Sequence, residues 1–314
     1  MKITYIFDET YISQFLTVTN SIISNEKPYL KDSISFYINY FGSQQDVEKI
    51  MTLSKNHFPN NQFFIKHIPS EFPDLFKKQE KAYDFDSAAQ QIQTSSVYCR
   101  FYLDKIWEEL DGVILHLDLD LIVKNNISNL FSSLSRDPCF SACPNFYLNQ
   151  HILPNFLKSI NKIYNDNIDL FKIYKEQKDL ISIRKFNLQS PSFNAGVWAV
   201  NLNRYRNENI GKLAEFLMMI HSFEKIVGHN DEGILNSIFY KTYQPLDKNW
   251  NSLHYGCDFK WANSVNLSRE LNSKFEGSYI IHYNGPNKPW SFSNPQDHYF
   301  PRGIELWKRY EIKT

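Results

Sequence analysis

The run GVILHLDLDLIV, from Gly112 to Val123, is strand-like and apolar but is interrupted by two carboxylates, Asp118 and Asp120. In an extended chain residues i and i+2 project to one face, so these carboxylates converge on one point. Two like charges held together away from water force one carboxyl to protonate unless a cation is supplied. A hard divalent ion, Mn²⁺ or Mg²⁺, resolves the repulsion and leaves coordination positions for phosphate oxygens. The bland alternative has one Asp capping a turn and the other facing water, and it fits poorly with so apolar a strand.

Around this run, short segments rich in Ile, Val, Tyr and Phe alternate with stretches whose apolar residues recur every three or four positions. Ile3 to Phe7 predicts a first strand, and Tyr11 to Ser24 a helix burying Ile12, Phe15, Leu16, Thr19, Ile22 and Ile23. Asp8 stands at their junction, and ligands of open α/β sheets bind at the carboxyl ends of strands. Ser33 to Phe41 and Gln62 to Ile68 predict two more strands around a helix at Gln45 to Lys55. Ser95 to Leu110 predicts one helix, with Cys99, Leu103, Ile106 and Leu110 as its buried stripe and Arg100, Asp104, Lys105, Glu108 and Glu109 mostly outside it. The expected fold class is α/β: a Rossmann-like mixed, mainly parallel sheet flanked by helices, with a helical insertion at Asn145 to Ser190. No composition break marks a domain boundary, and residues 1–290 are expected to form the main domain with 291–314 as a C-terminal extension.

Charge narrows the partners. The 34 Lys and Arg balance 34 Asp and Glu over 314 residues, so no long-range field attracts a phosphate backbone, and no nucleic acid is expected as partner. Cys99, Cys139, Cys143 and Cys257 form neither a CxxC pair nor a zinc-type spacing and predict plain packing residues in a reducing compartment. MKITYIFDET lacks the apolar core and cleavage site of a signal peptide, and no stretch approaches the ~18 apolar residues of a membrane span. The expected location is the cytoplasm.

Three further segments place polar residues beside apolar ones. In SYIIHYNGPNKPW a strand is expected to end at His282 and enter a turn with Gly285 and Lys288, a set suited to a metal ligand followed by a phosphate grip. Taken alone, His282 also fits a satisfied structural histidine. SFNAGVWAVNL places Asn194 just before an expected strand, and NDEGILN places Asp231 and Glu232 in the first turn of an expected helix, where simple capping is the alternative.

The segments FDETY, VYCRFYL, LHLDLDLIV, FNAGVWAVNL, NDEGILN and HYNGPNKPW occur together, in order, from Ile3 to Trp290. A lone DxD is weak evidence, but this ordered set resembles glycosyltransferase family 8, whose GT-A-fold members transfer a hexose from a nucleotide sugar with retention of configuration. The resemblance implies that residues 1–123 form the nucleotide-binding part and 124–290 the acceptor side. It implies manganese ligands at Asp118, Asp120 and His282, with Leu119 joining the donor-binding set. Asp8 and Tyr11 match positions holding uracil and ribose, with Thr10 beside them where some members carry Asn. Gly285 and Lys288 match the diphosphate grip, and Arg100, Asn194 and Asp231 surround the donor hexose. Glu232 stands where the family commonly has Gln, close to the anomeric carbon, so the implied catalytic set is Glu232, Asp231 and Asn194.

The expectation is a Mn²⁺-dependent retaining transferase, with Mg²⁺ as the alternative metal, that moves galactose in preference to glucose from a UDP-hexose to a glycan or glycoprotein hydroxyl. The sequence leaves two routes open, double displacement and same-face attack, and the second is favoured because no further positioned carboxylate stands beside Glu232. Two other readings compete. A haloacid-dehalogenase-like phosphatase would use the first Asp of DxD as nucleophile, yet it wants Thr or Val where Ile122 stands. A non-catalytic carbohydrate-binding or scaffold protein, partnering other glycosyltransferases, would use the 19 Tyr, 25 Phe and six Trp as stacking platforms, although Trp107 and Trp198 look buried. The C-terminal stretch, with Arg302, Lys308, Arg309 and Lys313 among Trp307, Tyr310 and Ile312, predicts a surface-packed amphipathic helix, with peripheral contact to the inner face of a membrane as the alternative.

Overall fold

In the computed structural model, the described residues are 1–72, 95–135, 138–145, 192–223, 230–239, 242–254, 275–285, 288–295 and 300–314. The chain opens with β1 (Lys2–Phe7), a 3₁₀ turn at Glu9–Tyr11, α1 (Ile12–Asn25), β2 (Ser35–Tyr40), α2 (Gln44–His57), β3 (Gln62–His67) and α3 (Ile68–Glu71). A 3₁₀ segment at Ser95–Tyr102 precedes α4 (Leu103–Ile106), β4 (Val113–Leu117), β5 (Leu121–Val123), α5 (Ile127–Ser133) and β6 (Phe140–Asn145). There follow β7 (Ser192–Asn201), α6 (Leu202–Asn207), α7 (Ile210–Phe223), α8 (Asn230–Phe239) and β8 (Gln244–Pro245). The last elements are a 3₁₀ turn at Lys248–Asn251, β9 (Ser252–Leu253), β10 (Ile280–His282) and α9 (Pro301–Tyr310). The architecture is α/β, mixed and mainly parallel. Apart from Asn145, which ends β6, the expected helical insertion lies outside the described residues.

Two units interleave along the chain. The first comprises Met1–Ile65, His116–Leu134 and Asp247–Thr314. Its strands follow the order β3-β2-β1, with a smaller sheet β5-β10-β9. β1 and β2 run parallel in register from Lys2–Ser35 to Phe7–Tyr40, which the α1 crossover permits. α1 buries Ile12, Phe15, Leu16, Thr19 and Ile22 as its period predicts, but Ile23 is half-buried. Gln14, Thr17, Val18 and Ser21 are buried as well, because β5 and α9 also pack on this helix. Tyr5, Phe15, Phe36 and Phe63 form the aromatic core, with ring centroids 5.0–6.2 Å apart.

α9 buries Gly303, Ile304, Leu306 and Trp307, so the C-terminal helix is packed within this unit. Trp307 meets Tyr283 edge-on at 5.7 Å and Trp290 at 5.0 Å. The end of α9 and the residues after it are tied to α1: Asn20 Nδ2 donates to Tyr310 O (2.9 Å), Ser13 Oγ to Ile312 O (2.6 Å), and Ile312 N to Thr17 Oγ1 (3.1 Å). Among the described residues no helix is long and apolar enough to cross a membrane.

The second unit comprises Lys66–Leu115 and Ser135–Leu246, with strand order β4-β7-β6-β8. β6 and β7 are antiparallel, and their pairing shifts: between Ala142–Trp198 and Pro144–Phe193, β6 advances two residues while β7 advances five. Residues 194–196 therefore sit in an irregular stretch inside β7, whereas the sequence places Asn194 ahead of the strand. Phe140 packs against Phe193, Trp198 and Phe239 at 4.3–5.3 Å, and Trp107 and Trp198 are buried as expected.

Two other elements differ from expectation. The predicted single helix from Ser95 to Leu110 is a 3₁₀ segment followed by one α turn ending at Ile106. Tyr98, Cys99, Arg100, Phe101, Tyr102 and Leu103 are all buried, so this stretch is enclosed on every side and the one-stripe helical pattern does not describe it. Arg100 is correspondingly inside, not on an outer face. The run from Gly112 to Val123 is also not one strand: β4 ends at Leu117, the chain breaks across Asp118–Asp120, and β5 belongs to the smaller sheet.

Candidate active site

The smaller sheet of the first unit brings distant residues together. β10 pairs antiparallel with β5, with Ile280 opposite Val123, Ile281 opposite Ile122 and His282 opposite Leu121. Tyr283 N donates to Asp120 O (2.7 Å) and Lys124 N to Tyr279 O (2.7 Å), which locks the register at both ends. That register sets His282 beside the break carrying the two carboxylates. The result is a cluster in which ligand atoms of Asp118, Asp120 and His282 all lie within 4.8 Å of one another. His282 Nε2 is 3.0 Å from Asp120 Oδ1 and 3.9 Å from Asp118 Oδ2. Convergence of the carboxylates thus holds, but through a break between sheets and not through the alternation of one strand.

The cluster's electrostatics follow from this proximity. Burial raises the Asp120 carboxyl, but the charges of His282 and Lys288 and their hydrogen bonds more than reverse this and leave it well below the usual carboxylate range. Burial lowers the His282 imidazole, yet Asp120, by charge and hydrogen bond, and Asp118 outweigh burial and the opposing Lys288, holding it above the ordinary histidine value. On its other side, His282 Nδ1 faces Asn251 Oδ1 at 2.9 Å. His116 Nε2 lies 3.0 Å from Asp118 Oδ1, with the imidazole 1% exposed. Two carboxylates and an imidazole whose second nitrogen is hydrogen-bonded are the donor set of a hard-to-borderline divalent cation, so the residues fit Mn²⁺ or Mg²⁺.

Other expected residues of the first unit have these surroundings. Lys288 Nζ donates to Asp120 Oδ2 and to Tyr283 O (3.0 Å). Gly285 has φ +100°, a conformation that favours glycine and turns the chain between His282 and Lys288. Asp8 caps the first 3₁₀ turn, its Oδ1 accepting from Thr10 N (3.0 Å) and Thr10 Oγ1 (2.6 Å). Tyr11 stands edge-on to Trp290 at 6.3 Å. Burial and the nearby charges of Asp120, Asp8 and Asp118 raise its hydroxyl. Leu119 is buried between the two carboxylates.

The second unit gathers the remaining four. Arg100 Nη1 pairs with Asp231 Oδ2 at 2.7 Å, both side chains being under 10% exposed, and also donates to Ala195 O (3.3 Å). Glu232 Oε2 accepts from Asn194 Nδ2 (2.7 Å) and Ala195 N (2.8 Å), while Asn194 Oδ1 accepts from Gly196 N (3.0 Å). The irregular stretch of β7 therefore has its backbone groups met by Arg100, Glu232 and Asn194, and the acidic pair at the start of α8 does more than cap a helix. Asn236, one turn beyond Glu232, bonds Phe193 N and O (2.9 Å each) and Glu232 O (2.9 Å).

The sequence reading missed His116, Asn251 and Asn236. His116 carries a signal, since it precedes Asp118 by two residues and shares its alternation. Asn236 follows Glu232 at helical spacing in NDEGILN. Asn251 carries none, because its contact spans 31 positions.

The glycosyl transferase family 8 model matches residues 2–294. The chain belongs to glycosyl transferase family 8. Among family 8 relatives, glycosyltransferase 8 domain-containing protein 1 of Xenopus laevis is 24% identical over 304 residues, 84% of this chain and 74% of that protein. The Xenopus tropicalis protein of the same name is 24% identical over 246 residues, 72% of this chain and 57% of its own length. Glycosyltransferase GlyB of Streptococcus pneumoniae serotype 4 is 28% identical over 182 residues, 52% of this chain and 41% of GlyB. The match to the latter two thus spans well under two thirds of their lengths. Galactosyltransferase LgtC in complex with donor and acceptor sugar analogues shares the fold, with TM-score 0.64, 17% identity and coverage of 100% of this chain and 97% of that one. An LgtC active-site variant with glutamate in place of glutamine aligns equally well, at 18% identity. The phosphatase and carbohydrate-binding readings gain no support from these comparisons.

Proposed function

We propose that the chain is a retaining hexosyltransferase acting in the cytoplasm, which moves a hexose, galactose in preference to glucose, from a UDP-sugar to a hydroxyl of a glycan or glycoprotein. The observation that carries this is the Asp118–Asp120–His282 cluster within 4.8 Å in a family 8 chain. Bound by these three residues, Mn²⁺ would act as a Lewis acid that neutralises charge on the departing diphosphate.

In this reading Lys288 turns its donors from Asp120 to phosphate oxygens, and the Gly285 backbone adds a further donor where negative charge develops. Asp8, Thr10 and Tyr11 hold the nucleoside. Arg100, Asn194 and Asp231 hold the hexose, with Arg100 and Asp231 fixing each other through their buried pair. Glu232 Oε2 takes two hydrogen bonds, which engage its lone pairs and lower the nucleophilicity of that oxygen. That supports Glu232 as an electrostatic stabiliser of an oxocarbenium-like centre, with same-face attack by the acceptor and proton transfer to the leaving phosphate.

The test is a screen of UDP-sugars for slow hydrolysis without acceptor, in Mn²⁺ and in EDTA. The expected result is UDP release that is fastest with UDP-galactose and abolished by EDTA. Release from no UDP-sugar, or release indifferent to EDTA, overturns the reading.

A further inference from the structure

We propose that Asn251 is a positioning residue that fixes the tautomer of His282 and thereby makes its Nε2 a metal ligand. Both side chains are buried, with Asn251 6% and His282 2% exposed, so water does not set the imidazole's protonation. Asn251 Oδ1 faces His282 Nδ1 at 2.9 Å, and an amide oxygen accepts only. Nδ1 must therefore carry a proton, and in the neutral ring Nε2 carries the lone pair. That nitrogen faces Asp120 Oδ1 at 3.0 Å and Asp118 Oδ2 at 3.9 Å. The opposite amide orientation would donate to Nδ1, place the proton on Nε2 and leave the triad with two ligands.

The fold holds Asn251 in place independently of its amide. It closes the 3₁₀ turn Lys248–Asn251, which Asp247 caps through Asn249 N (2.9 Å). Tyr279 N donates to Asn249 O (2.8 Å) and His254 N to His282 O (2.8 Å), so the turn and the β9–β10 pairing bracket both residues. Hydrogen-bond partners behind a metal-bound histidine typically change metal affinity ~10–100-fold when removed. This inference rests on the metal reading of Asp118, Asp120 and His282.

The test compares Mn²⁺ binding by the full chain and its variants, with free Mn²⁺ followed by electron paramagnetic resonance. Asn251→Leu removes the acceptor at similar volume and is expected to weaken Mn²⁺ binding ~10–100-fold. Asn251→Asp keeps an acceptor and is expected to stay within a few-fold of the parent. A purely structural role would lower the thermal midpoint of both variants in EDTA and would not separate their affinities. A folded Asn251→Leu that binds Mn²⁺ like the parent overturns the proposal, as does an Asn251→Asp that fails like Asn251→Leu. A second measurement needs no variant at position 251: ¹⁵N-histidine NMR of the Mg²⁺-loaded chain, assigned against His282→Gln. The Nδ1–H tautomer supports the proposal and the Nε2–H tautomer overturns it. A parent that binds neither ion removes the metal reading and this inference with it.

Discussion

At the scale of single residues, the carboxylate and imidazole cluster is poised by opposite shifts. His282 is held above its ordinary value, so its contribution to stability is full below the unfolded value and is lost as pH rises through the folded one. Asp120 is held below its ordinary value, so its contribution is present above the unfolded value and is lost as pH falls through the folded one. A metal-free chain is thus held best between the two. Metal binding runs against the first of these, because His282 must give up a proton to become a ligand. Mn²⁺ affinity is therefore predicted to climb ~tenfold per pH unit below the His282 value and to level off above it, since one proton is displaced. A flat profile from mildly acidic to neutral pH contradicts this. The buried Arg100–Asp231 pair gives a second prediction. Arg100→Met removes the guanidinium that pairs with the buried Asp231 carboxylate, and should cost about 3–5 kcal/mol in denaturant unfolding. Arg100→Met combined with Asp231→Leu should recover part of that loss, and a single variant within 1 kcal/mol of the parent would show that the pair carries little.

At the scale of elements, α9 lies beyond the residues the family model matches, yet it packs within the first unit. Trp307 supports Trp290, and Trp290 stands against Tyr11. Trp307→Ala is accordingly predicted to lose ~3–5 kcal/mol of stability and to weaken UDP binding measured calorimetrically. Unchanged UDP affinity in a folded variant would separate the helix from the proposed nucleotide site. The elements also show what local pattern conveys. The β1–α1–β2 rhythm was legible because side-chain period and burial agree there. The break after Leu117 was not, because alternation in LHLDLDLIV continues unbroken while the chain changes sheets. Nor was the register shift in β7, where small residues at Ala195 and Gly196 permit an irregular backbone that Arg100, Glu232 and Asn194 then satisfy.

At the scale of the whole molecule, the first unit draws on three separate segments and the second on two, so no linear boundary marks them and composition shows none. The ordered motifs were nonetheless readable, because their polar residues interrupt otherwise apolar runs in a fixed order along the chain. Asp118, Asp120 and His282 could be named from their residue types, whereas Asn251 depends on a tertiary pairing that no spacing announces. The proposed function stands or falls on whether Asp118 and Asp120, together with His282 more than 160 positions further along the chain, hold one divalent ion. Crystals of the full chain grown with Mn²⁺ and UDP, measured for manganese anomalous scattering, test it most directly. One strong peak is expected within coordination distance of Asp118, Asp120 and His282 together. A peak bound elsewhere, or none while UDP is present, would contradict it.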